Sequence, residues 1–155
     1  MNIHPTTVLP RVAFYGRTVE ASDLATAAFV VGGQYQQCVS VLPDGAITAV
    51  FLDLGTRPDY RRAPATLILD NEREISRDGG LDALLTEANR PERRFDFVIS
   101  TDVHRLSRCT VTSTALLRTL AVAGIEFLHA PEIRDGVTDC QSCPGDYAAS
   151  TTSRC

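Results

Sequence analysis

Short apolar runs alternate with amphipathic stretches along this 155-residue chain. Arg11–Tyr15 has the apolar density of a short β-strand that ends at Gly16. A helix is expected from about Val30 to Leu42, although Gly32 and Gly33 cost its first turn about 1 kcal/mol each. Pro43-Asp44-Gly45 predicts a turn. Ala46–Leu54, rich in β-branched and aromatic residues, predicts a second strand. Gly55 to Ser76 is polar and arginine-rich, with Pro58 and Pro64, and reads as a long loop in which the apolar piece Thr66–Leu69 packs down. Gly80–Asn89 places Leu81, Leu84, Leu85 and Ala88 on one helical face, and Pro91 stops it. Phe95–Ser100 is apolar enough for a strand buried on both faces. Thr112–Ala123 repeats the helical spacing with Ala115, Leu116, Leu120 and Ala123, with Gly124 as its C-terminal stop. Ile125–Leu128 predicts a fourth strand.

Strand–helix–strand units of this length predict an α/β fold of three layers. Its sheet would be mainly parallel, with four to five strands and helices on both faces. Ligands of such sheets lie at the carboxyl ends of the strands. Arg17 follows the first strand and Arg105 the third, so the two can meet there. The chain divides into an N-terminal extension (1–10), one domain (11–132) and a C-terminal tail (133–155) without apolar periodicity, expected to be flexible.

The bulk numbers narrow the class. A hydrophobic fraction of 44% describes a soluble globular domain. No apolar run approaches the ~20 residues of a membrane-spanning helix. The N-terminus lacks a basic segment followed by an apolar one, so the expected location is the cytoplasm and no membrane partner is expected. All 15 basic residues are arginine, the better residue for bidentate phosphate contact. The net charge of −4 nevertheless opposes strong DNA binding by the chain alone, so any DNA contact needs a local arginine cluster or a partner.

The five cysteines are an odd number, and without a secretion signal a disulfide framework is not expected. Cys140 and Cys143 form a C-x-x-C pair. A zinc site would need Cys155 and His129 as well, and free thiols in a loose tail are the simpler reading, so no metal and no cofactor is expected.

Two motifs carry the chemistry. Val12-Ala13-Phe14-Tyr15-Gly16-Arg17-Thr18-Val19-Glu20 resembles the opening strand and active-site turn of the serine site-specific recombinases, which read Y-x-R-x-S. Tyr15 and Arg17 fit, and Val19 stands at the nucleophile's position. Asp102-Val103-His104-Arg105-Leu106-Ser107-Arg108 resembles the family's D-R-L-x-R signature, with His104 at the acidic position. Arg77-Asp78-Gly79-Gly80-Leu81 and Gln34 are similar to further family positions, and the resemblance covers about residues 11–132.

The resemblance implies a resolvase-like catalytic domain. In that family a serine oxygen attacks a DNA phosphodiester, and arginines stabilise the charge on the pentacovalent phosphorus. By position, Arg17, Arg77, Arg105 and Arg108 would form the clamp. Gln34 would be a lesser positioning group, with Arg17, Gln34, Arg105 and Arg108 as the DNA contacts. An isopropyl group cannot attack phosphorus, so Val19 implies an impaired enzyme. Thr18 and Ser22 are the nearest replacement hydroxyls. The family's long dimer helix and DNA-binding region are not legible after Glu132, so the chain reads as a truncated catalytic domain. Weak DNA binding, a homodimer, or a hetero-oligomer with an intact recombinase are the implied associations. The alternatives are a non-catalytic assembly module and an α/β module that binds a small anion.

Overall fold

The computed structural model describes residues 8–19, 21, 23–55, 66–68 and 74–130. The tail, Cys140 and Cys143, Ser22, and the loop arginines Arg57, Arg61 and Arg62 lie outside them. The elements in chain order are β1 (Val12–Thr18), α1 (Leu24–Val39), β2 (Ile47–Leu54), β3 (Thr66–Ile68), β4 (Glu74–Ser76), α2 (Leu81–Ala88), β5 (Phe97–Ser100), α3 (Thr110–Val122) and β6 (Glu126–His129).

Four strands form one sheet in the order β2-β1-β5-β6, and every neighbouring pair is parallel. The twofold alternation of strand side chains divides the core. Val12, Phe14, Leu52 and Ile99 face α1, where Ala27, Val31 and Cys38 meet them. Ala13, Tyr15, Phe51 and Val98 face the opposite layer, built from Leu84 and Ala88 of α2 and Leu120 of α3. The fold is therefore α/β in three layers, with a four-stranded sheet among the described residues. The chain leaves β1 through α1 toward β2 on one side and later returns through α2 to β5 on the other. That reversal opens a crevice between the carboxyl ends of β1 and β5.

Several boundaries differ from the sequence expectation. β1 does not stop at Gly16 but runs to Thr18, because β2 continues to pair with it: Gly16 with Leu52, Arg17 with Asp53 and Thr18 with Leu54. Arg17 is thus part of the strand rather than the loop after it. Helix α1 starts at Leu24 instead of Val30, where the Asp23 side chain accepts a hydrogen bond from Thr26 N at 2.7 Å. Such a cap satisfies one of the unpaired amides of the first turn. The expected loop after Gly55 contains β3 and β4, paired antiparallel through Leu67 and Ile75. Leu67 is buried in the α1-side core, which is why this short polar segment is ordered into a ladder. Strand β5 begins two residues later than expected, at Phe97, while Phe95 remains buried ahead of it. Gly124 does end α3, at φ +72°.

Gly32 and Gly33 fall in the middle of α1 rather than in its first turn. A Cβ added at Gly33 would meet no atom within 4 Å. Gly33→Ala is therefore expected to stabilise the protein by about 0.5–1 kcal/mol. A thermal melt should move up by roughly 1–4 °C. A melt that moves down would mean that this face of α1 is covered.

Candidate functional site

The crevice at the strand ends holds most of the chemistry-bearing residues in one cleft of about 490 Å³. From β1 come Arg17 and Thr18, followed by Val19. From the turn after β5 come Asp102, His104, Arg105 and Arg108, and Val30 of α1 closes the side. Three of the four arginines expected to act together thus share one cavity with Val19 and His104. Arg77 is not among its walls. It lines the adjoining cleft with Arg17, and its guanidinium donates from Nε and Nη2 to Leu52 O at 3.1 and 3.0 Å.

Local structure holds each arginine in place. Gln34 clasps the main chain of Arg17: its Oε1 accepts from Arg17 N at 3.1 Å and its Nε2 donates to Arg17 O at 2.9 Å. Gln34 is only 6% exposed, so it anchors the end of β1 to α1. The β5 side is tied down by a chain of small polar contacts. The Asp102 carboxylate accepts from His104 N at 2.9 Å and caps the short helical turn Val103–Arg105. Leu106 plunges into the core beyond it. Ser113 Oγ donates to Ser107 O at 2.8 Å, which fixes the segment carrying Arg108 to α3.

The electrostatics separate two kinds of arginine. Arg11 pairs with Asp96 at 2.8 Å, and Arg94 pairs with Glu87 at 2.7 Å and Asp78 at 2.9 Å. These partners hold the Glu87 and Asp96 carboxyls below their usual values, chiefly through hydrogen bonds from Arg94 and Arg11. Among the described residues, neither the Arg17 nor the Arg105 guanidinium is in an ion pair. Three arginines and one carboxylate, Asp102, line this cleft, and an excess of positive charge in a concave site suits a bound anion.

The adjoining cleft, of about 600 Å³, contains a feature the sequence reading missed. Asp53, at the end of β2, accepts from Tyr15 OH at 2.8 Å and from Leu81 N at 3.1 Å through one oxygen. Burial first, then the charge of Asp53, raises the Tyr15 hydroxyl above its ordinary value and keeps it a donor. A Cβ at Gly80 would collide with the Asp53 carboxylate, so a glycine at that point lets α2 approach. The sequence signal was an acidic residue near the end of the apolar run Ala49-Val50-Phe51-Leu52-Asp53-Leu54.

Hydroxyl supply at the arginine cleft is poor. Thr18 lines it but is only 5% exposed. His104 is exposed, and Val19 is half-buried. Among the described residues, no group of three or more His, Cys, Asp or Glu side chains could hold a metal ion, and no helix is long and apolar enough to cross a membrane. Cys38 is buried, which pushes its thiol up to about 12, while Cys109 is exposed at the start of α3. No family model, curated protein or solved structure matches the chain.

Proposed function

We propose that the cleft between β1 and β5 binds a phosphodiester of DNA. On this reading the chain is a serine-recombinase-like domain that cannot make the covalent phosphoserine link. The carrying observation is the meeting of Arg17, Arg105 and Arg108 with Val19 and His104 in one cavity. Guanidiniums at fixed positions stabilise the charge of a phosphorus transition state. They do so only if an oxygen attacks, and Val19 has none to offer. His104 in place of a carboxylate removes an anionic partner for Arg105. The domain therefore acts as a binding or assembly module, and its net charge of −4 favours joining DNA through an intact recombinase partner. A second reading, a small-anion module unrelated to DNA, is favoured by the position of Arg77, whose guanidinium lies on the Leu52 carbonyl outside the cleft.

Covalent trapping on a nicked suicide DNA substrate tests the proposal. The native chain should give no protein–DNA adduct. The double substitution Val19→Ser, His104→Asp should gain one, because it puts a nucleophile and an acid in the cleft that Arg17, Arg105 and Arg108 line. An adduct with the native chain would show that another hydroxyl attacks. A folded but inert double variant would mean that the arginines do not form a phosphodiester clamp.

A further inference from the structure

Arg105 also borders a third cleft, of about 670 Å³, at the ends of β5 and β6. Its chemistry differs from that of the arginine cleft. Leu117 of α3, Phe127 of β6 and Val103 of the turn give it apolar walls. Gln34, Gln37, Asp102 and His129 supply its polar lining beside Arg105. Asp102 and Arg105 line both cavities, so the two are neighbours with a common wall. Two hydroxyls at the end of β5, Ser100 Oγ and Thr101 Oγ1, are buried without a hydrogen-bond partner among the described residues. Folded proteins rarely leave such groups unpaired.

We infer that the two clefts together take a single nucleotide unit, its phosphate beside Arg17 and Arg105 and its base between Leu117 and Phe127. The inference rests on the phosphate reading of the arginine cleft. A nucleobase has apolar faces and a hydrogen-bonding rim. The faces match the leucine and phenylalanine walls, and the rim matches an amide and an imidazole, which both donate and accept. The cleft volume falls in the usual range of small-ligand sites. Its place, beside the reversal of strand order, is where open parallel sheets bind ligands. The same chemistry belongs to a free 5′-mononucleotide and to an unstacked nucleotide of a single strand.

Calorimetric titration of the full chain separates these claims. The probes are inorganic phosphate, ribose 5-phosphate, the four nucleoside 5′-monophosphates and a 5′-phosphorylated tetranucleotide. At least one mononucleotide should bind tighter than ribose 5-phosphate by about 5- to 100-fold, the worth of one stacked base. Leu117→Trp, which fills the base cleft, should erase that margin and leave inorganic phosphate unchanged. His129→Ala, at an exposed position of β6, should shrink the margin for the preferred base. A tetranucleotide tighter than every mononucleotide identifies a strand as the source, and equality identifies the free nucleotide. If phosphate binds but all mononucleotides match ribose 5-phosphate within twofold, the base cleft is overturned alone. A margin that survives both variants overturns it too. If inorganic phosphate itself does not bind, the underlying reading of the arginine cleft fails on its own arm.

Discussion

Arg105→Gln is expected to weaken binding of a short oligonucleotide at least tenfold, with the fold intact. A charge-assisted hydrogen bond to phosphate contributes about 1.5–3 kcal/mol, and 1.4 kcal/mol corresponds to tenfold. The substitution strands no internal acid, because Arg105 pairs with none among the described residues. Arg94→Gln is the matched control. It removes one arginine from the same protein but breaks the bonds to Glu87 and Asp78, with the Arg94 side chain 47% exposed. Its cost is a fraction of a kcal/mol in stability, as for exposed pairs generally, and its effect on affinity should be under twofold. The Arg105 variant should also lower the salt dependence of binding by about one counterion. Fluorescence anisotropy across a salt series reads both quantities. Equal losses in the two variants would reduce the cleft to general surface charge.

Phe14→Ala should destabilise the protein by about 3–5 kcal/mol. Phe14 is fully buried in β1 and meets Tyr35 of α1 edge-to-face, with centroids 5.2 Å apart and an interplanar angle of 84°. Its ring also lies close against the backbone of Gly16. Removing it opens a cavity between α1 and the sheet, three residues before Arg17 and beneath the segment that Gln34 clasps. Urea unfolding should show the loss as a lower midpoint with an unchanged slope. A cost below 1 kcal/mol would mean that α1 does not pack on this face.

The alternating strand and helix signals made the layer order legible, because Phe14, Phe51 and Val98 sit in dense apolar runs. What escaped depended on partners distant in sequence. Glu74-Ile75-Ser76 has one apolar residue and becomes a strand only by pairing with Thr66–Ile68. The first turns of α1 hold mostly Ala and Thr, so their periodicity is faint, and Asp23 as a cap was the better signal. Gly16 and Arg17 look unlike a strand and are held in one by the ladder to β2. At the site, topology made the meeting of Arg17 with Arg105 predictable, since Arg17 lies at the carboxyl end of β1 and Arg105 follows β5, its neighbour in the sheet. The placing of Arg77 on the Leu52 carbonyl was not predictable, because that contact depends on how β2 and the segment before α2 approach. Gln34 is expected as a lesser positioning group and a DNA contact, and its amide bonds to the main chain of Arg17. Neither spacing nor residue type reveals that pairing.

Because every basic side chain apart from histidine is an arginine, the Nε–Hε signals in a nitrogen-correlated NMR spectrum survey nearly all the side-chain cations at once. Titrating the chain with inorganic phosphate should shift Arg17, Arg105 and Arg108 together along one saturating curve, while Arg11, Arg93 and Arg94 stay in place. Shifts spread evenly over all the arginines, or confined to those already paired with carboxylates, would contradict a phosphate site between β1 and β5.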